Sequence, residues 1–298
     1  MPWGVARPRI VTRGHELVTV NNFSHGLVNP VLGYVVSCLG AFLGLRCVTR
    51  SSYHQGRTRA LWLAAAATAI GATGIWAMHF IAMLGFAIPG QVISYNVPIT
   101  IASMLIAIGV VGVGLVIVGS DDGGRPRLLV GGLIVGIGVA TMHYLGMAAM
   151  VMPDSMSYST PLVIASVAIA VIAGTAALWI GTWVRSIRAT AGASLVMGAA
   201  VSGMHYTGMA AMRVQAGGMP GMPGASSDSF LLPLLLGITL ITFLLTLIMN
   251  LSPTEAEMRE DAEFRYLLET LQVQVPAVPS REETPIFGDL ADGHEDPA

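Results

Sequence analysis

The chain has 298 residues, 54% of them hydrophobic and only 11% charged, with a mean hydropathy of +0.69 and a net charge of −2. Soluble domains carry about 25% charged residues, so the composition excludes an ordinary soluble domain. The near-neutral balance, with arginine as the only strongly basic residue, gives no basic field for nucleic acid.

Residues 1–28 are mixed in polarity and lack a short apolar core with a cleavage site, so an extracytoplasmic segment is expected there, with no removable signal peptide. Seven apolar stretches follow, at roughly 29–48, 60–87, 98–118, 128–150, 161–184, 193–212 and 230–250. Crossing a bilayer takes about 20 apolar residues, and lipid offers no partner to loose backbone groups, so each stretch is expected to be a helix. Pro30, Pro98, Pro161 and Pro233 stand at or near four of the starts, where the missing N–H costs little. Cys38 and Cys47 share the first stretch, nine positions apart. That spacing is about 13 Å of helix, too far for a disulfide, so both read as packing residues.

Arginine sets the orientation. Eleven arginines flank one side (Arg46, Arg50, Arg57, Arg59, Arg125, Arg127, Arg185, Arg188, Arg259, Arg265, Arg281), and four the other (Arg7, Arg9, Arg13, Arg213). The positive-inside rule then places the N-terminus outside and the C-terminus in the cytoplasm. After the last stretch, Ser252 and Glu255 form a capping box, and Phe264, Leu267, Leu268 and Leu271 make one apolar stripe. An amphipathic cytoplasmic helix is expected over 251–275, then a disordered acidic tail over 276–298.

The membrane part repeats itself. "VPITIASMLIAI" (97–108) and "TPLVIASVAIAV" (160–171) match at Pro98/Pro161, Ile101/Ile164, Ala102/Ala165, Ser103/Ser166, Ile106/Ile169 and Ala107/Ala170. A second set recurs on nearly the same step: "IWAMHFIAML" (75–84), "ATMHYLGMAAM" (140–150) and "VSGMHYTGMAAM" (201–212). The unit is therefore a pair of helices, used about three times with one extra span. Two spans per unit return each copy to the same orientation, so the three motifs fall on one side of the membrane.

Aligned on the histidine, the copies give Met78, Met142 and Met204 before it, Phe80, Tyr144 and Tyr206 after it, and Met83, Met147 and Met209 four residues on. Positions four apart stack on one helical face, so each helix presents His79, His143 or His205 beside a thioether. Met150 and Met212 extend two of the stripes. Small residues at −2 (Ala77, Thr141, Gly203) and −7 (Ala72, Gly136, Gly198) are expected to let the helices approach closely. Counting from Leu128, about 22 Å of rise puts His143 in the outer leaflet of a hydrocarbon layer about 30 Å thick.

Imidazole and thioether together suit copper, above all Cu(I). The expected metal ligands are Met78, His79, Met83, Met142, His143, Met147, Met204, His205 and Met209, with His25, Tyr144, Tyr206, Met150 and Met212 as further candidates. The competing reading is flexible methionine packing under an outer aromatic belt. His15, His54 and His294 lie in polar segments and read as solvated.

The repeated M-H-[YF]-x-[GA]-M resembles the MHYT domain family of bacterial integral membrane sensors, over about residues 25–250. The resemblance implies seven spans in the inner membrane, motifs near the outer face, and a copper site through which O₂, CO or NO is sensed. The first copy departs from the pattern with Phe80 for tyrosine and Ala82 for glycine. MHYT domains are often fused to cyclic-di-GMP enzymes, kinases or DNA-binding outputs, and no such output is expected in the 48 residues after 250.

Three functions compete on this reading. The leading one is a sensor that signals in trans through 252–273. A copper transporter is second, weakened because the spans contain no acidic residue. A haem-binding oxidoreductase with axial histidines is third. No hydrolytic or nucleotide-binding constellation points to an enzyme.

Overall fold

The computed structural model describes residues 20–89, 92–119, 124–152, 155–215, 225–226, 229, 231–251, 260 and 263–270. Seven long helices dominate them: α1 (Val28–Ser51), α2 (Gly56–Met83), α3 (Val97–Val118), α4 (Arg125–Ala148), α5 (Thr160–Trp183), α6 (Ile187–Ala211) and α7 (Leu232–Leu251). Local chemistry sets several of the starts. Asn96 caps α3 by accepting from the Ile99 N–H at 3.1 Å, and Ser186 caps α6 by accepting from Ala189 at 3.3 Å. α3, α4 and α5 each carry proline in the first turn.

Six helices (α1 to α5, and α7 over Leu232–Met249) are long and apolar enough to cross a membrane. The chain is a multi-pass membrane protein. α6 is just as long, but Gly, Ala, Ser, Thr and a histidine dilute its hydropathy. Its Thr190, Ser194, Gly198 and His205 are buried against protein rather than facing outward.

α1 to α6 close a ring in which each helix packs on the next and α6 returns to α1. Close approach rests on missing side chains. A Cβ on Gly40 of α1 would strike the backbone of Gly74 in α2, and one on Gly136 of α4 the backbone of Val171 in α5. The expected contribution of the −2 positions is not seen in two copies: Gly203 faces open space and Thr141 is exposed, bonding back to Ile137 of its own helix. α7 stands outside the ring, touching α1 and the middle of α2. There Thr242 and Thr73 share a hydrogen bond of 2.8 Å.

α2 is irregular. Residues Ala69–Ala77 form a π-helix, whose wide turn leaves carbonyls without their usual donor. Ser37 of α1 donates its hydroxyl to the Gly74 carbonyl at 2.6 Å, and the Trp76 indole donates to Ser103 at 3.0 Å.

At the end where the motifs lie, the connections pair as short strands. β1 (Ser94–Tyr95) lies between β2 (Met150–Val151) and β5 (Ala225–Ser226), and β3 (Ser155–Tyr158) pairs with β4 (Met212–Gln215), all antiparallel. An Asn21–Ala87 bridge repeats the theme for α1 and α2. The residues entering each odd ring helix thus pair with those leaving the following even one. This is the expected two-helix unit closed by a strand ladder, three times over.

Residues 263–270 form a helix in a separate unit, with Phe264, Leu267 and Leu268 exposed. The rest of the expected cytoplasmic helix and tail, including Leu271, lies outside the described residues.

Candidate metal centre

Each motif sits in the last turns of an even ring helix, where residues 78–83 of α2 meet the ends of α4 and α6. Because the three units repeat around one axis, the same register position lands on that axis from three directions. His79, His143 and His205 meet there, with side-chain exposures of 0%, 0% and 1%. Their Nδ1 atoms point inward: His79 lies 3.0 Å from His205 and 3.1 Å from His143. The three rings stand edge to face, with centroids 4.9–5.1 Å apart.

The outward nitrogens are held by glycine. A Cβ on Gly146 of α4 would lie 2.5 Å from Nε2 of His79, and one on Gly208 of α6 would overlap Nε2 of His143. His79 and His143 thus each rest in the gap left by the third residue after the next copy's histidine. Phe80, Tyr144 and Tyr206 each turn an edge toward their own histidine, at centroid distances of 4.7, 4.9 and 4.9 Å.

Hydrogen bonding within this cluster does not balance. A neutral imidazole has one donor and one acceptor nitrogen, yet Nε2 of both His79 and His143 is buried without a partner. If those atoms carry the protons, the Nδ1 lone pairs face one another at 3.0–3.1 Å. Leaving a buried polar atom unpaired costs about 1–3 kcal/mol. A cation shared by the three lone pairs removes the conflict. Three nitrogens about 2.0 Å from one ion in a plane stand about 3.5 Å apart, a few tenths of an ångström beyond the spacing here. The donor set therefore fits a metal ion. The group contains three histidines and no carboxylate, a set of imidazoles that suits copper and zinc alike.

The other expected ligands fall into different surroundings. Met78, Met83, Met142, Met147, Met204 and Met209 are all buried, as are Met150 and Met212. Tyr144 turns its hydroxyl to Ser166 at 2.7 Å, and Tyr206 stacks on Phe23 with its hydroxyl buried and unpartnered. His25 is exposed, beside Ser24 at 3.1 Å, and is not part of the three-histidine cluster. Outside the helices, burial pushes the Tyr95 hydroxyl well above its ordinary range. Sequence reasoning missed the seating role of Gly146 and Gly208, although the recurrent small residue at that position was the signal for it.

Below the histidines an apolar cavity of about 60 Å³ follows the ring axis. Ile75 and Met204 close its upper end, one turn before His79 and one residue before His205; Ser37 is the only hydroxyl-bearing side chain among its lining residues.

The family model described as MHYT, bacterial signalling protein N-terminal repeat, matches three times, over residues 73–131, 136–194 and 198–259. The chain belongs to the MHYT family. MHYT relatives include the bifunctional diguanylate cyclase/cyclic di-GMP phosphodiesterase MucR of Pseudomonas aeruginosa, 37% identical over 242 residues that cover 79% of this chain and 35% of MucR. The cyclic di-GMP phosphodiesterase NbdA of the same organism is 35% identical over 214 residues, 70% of this chain and 27% of NbdA. The signaling protein YkoW of Bacillus subtilis is 29% identical over 187 residues, 60% of this chain and 23% of YkoW. The chain spans about a third or less of the length of these relatives. No solved structure matches it.

Proposed function

We propose that this MHYT protein is a sensor of the bacterial inner membrane. In this reading it spans the bilayer seven times, with the N-terminus outside and the C-terminus in the cytoplasm. His79, His143 and His205 hold one copper ion near the outer face, with the motif methionines as further soft donors. The carrying observation is the convergence of three Nδ1 atoms, one from each repeat, at 3.0 and 3.1 Å.

When bound, copper supplies a coordination position for O₂, CO or NO and a redox couple. The chain's own residues do the rest. Burial excludes water, Gly146 and Gly208 fix the ring planes, and the three imidazoles join the ends of α2, α4 and α6 at one point. A change in what that point holds alters how the three helices meet, and the altered packing is the signal. The apolar axial cavity supports a small uncharged ligand, and offers little to a travelling ion, which needs polar partners along its path. That weighs against copper transport. Haem is disfavoured because the imidazole edges already touch, leaving no gap for a macrocycle. Signalling in trans through 252–273, to a cytoplasmic or membrane partner, completes the proposal.

The test is copper content by mass spectrometry of purified wild type and of the chain carrying His79→Ala, His143→Ala and His205→Ala. About one copper per wild-type chain is expected, falling to background in the folded triple variant. Equal copper in both overturns the reading, and a Soret band in the wild type shifts it to haem.

A further inference from the structure

At the opposite end of the ring from the histidines, the inner connections enclose a larger cavity of about 580 Å³. It is lined by His54, Gln55 and Arg59 around the α1–α2 connection, Gly119 after α3, and Thr182 and Arg185 at the end of α5. Two arginines and a histidine therefore face one space, and no carboxylate is among the described residues that line it.

Both guanidinium groups are anchored without being used up. Arg59 Nη2 donates to the Gly119 carbonyl; Arg185 donates to the Thr182 carbonyl at 3.4 Å and to Ser52 Oγ at 3.5 Å. A guanidinium has five N–H donors, so each arginine keeps several for a ligand. The start of α2 adds to the field. Gln55 precedes it without a side-chain cap, and Gly56 turns the chain through a left-handed φ of 56°, so the first backbone N–H groups open beside the cavity. The positive end of the helix dipole reinforces the arginines.

We infer that this vestibule binds an oxyanion of the phosphate class. A guanidinium matches phosphate oxygens in charge and geometry, and two line this space. The volume exceeds what inorganic phosphate needs and lies in the range of small-molecule sites, so the phosphate belongs to a larger molecule. Two sources share this chemistry: a soluble organic phosphate and a lipid headgroup. Val48, Leu115, Leu178 and Gly181 line both this vestibule and the axial cavity, so a bound anion sits at the foot of the column that ends beneath the histidines.

The test uses the full chain in nanodiscs. In phosphatidylcholine discs, calorimetric titration with pyrophosphate reads the soluble source; discs with increasing phosphatidylglycerol, read by the unfolding temperature, report the headgroup. Saturable pyrophosphate binding, or a phosphatidylglycerol-dependent rise in unfolding temperature, supports the site and names the source. Arg59→Gln and Arg185→Gln are each expected to weaken binding about tenfold, the effect of one charge-assisted bond, while Arg185→Lys keeps most of it. The His79→Ala, His143→Ala, His205→Ala chain is expected to bind as wild type, which separates this site from the metal centre. Because Arg185 is exposed, its variants report even if Arg59→Gln fails to fold. No response to either probe in the wild type, or an unchanged response in folded Arg185→Gln, overturns the inference.

Discussion

The ring and the seventh helix are built from comparably greasy sequence and held in opposite ways. The Leu232–Met249 window has a mean hydropathy of 2.5 but is only 6% buried, whereas α4, at 1.9, is 50% buried. α6, the one long helix not apolar enough to qualify as a span, carries the third histidine of the buried cluster. In lipid, apolarity brings a helix into the bilayer but gives it no reason to leave the tails for a protein neighbour. What drives burial is the fit of small residues against backbone. The ring has that fit at Gly40 and Gly136; the seventh helix has a threonine pair and one arginine.

Substitutions that break the contrast rank by how much backbone they displace. Gly136→Leu puts a branched side chain where Val171 already stands, and overpacking of this kind costs about 3 kcal/mol or more when backbone has to move. The expected outcome, read by size-exclusion profile and yield in detergent, is loss of folded protein. Gly208→Ala is milder. One methyl against Nε2 of His143 turns that ring out of register, and copper affinity is expected to fall about 10- to 100-fold, as for other residues that orient a ligand. Copper titration checks this, and circular dichroism confirms the fold. Arg50→Gln tests the link between ring and seventh helix: the buried guanidinium donates to the Met249 carbonyl at 3.0 Å and lies over Trp62. Losing it should cost about 1–3 kcal/mol, visible as a lower unfolding temperature with copper binding intact. Leu240→Ala on the exposed face of α7 should change stability by no more than about 0.5 kcal/mol. A large effect there would mean that α7 has a partner of its own.

Much of this was legible in the sequence because the repeat is written twice, in the spans and in the motifs. The stretches 98–118 and 161–184 correspond to Val97–Val118 and Thr160–Trp183 almost residue for residue. Proline and the Asn96 cap mark these starts, and the hydropathy is unbroken between them. The register of the three histidines was visible too, and two nearly equal offsets, 64 and 62 residues, on helices related by one axis are enough to bring the rings together. The apolar pattern starts only at 193, six residues after the helix begins at Ile187, because Arg188 and the Ala–Thr–Gly run hide a helix that protein rather than lipid covers. The closure of α6 on α1 was invisible, since contacts between distant spans leave no periodic trace. The strand ladder was hidden by its length: segments of two to four residues carry too few alternations to read. The tyrosines look equivalent in sequence and part company in space, Tyr144 toward Ser166 and Tyr206 toward Phe23.

The widened turn over Ala69–Ala77 belongs to the first repeat only, and it ends one residue before Met78 and His79. A π stretch holds its residues in a wider turn than an α-helix does. Rewinding it by one position would rotate everything beyond by about 100°, carrying His79 off the axis while its two counterparts stay. The first histidine therefore stands on an irregular coil, whereas His143 and His205 stand on helices that are α throughout.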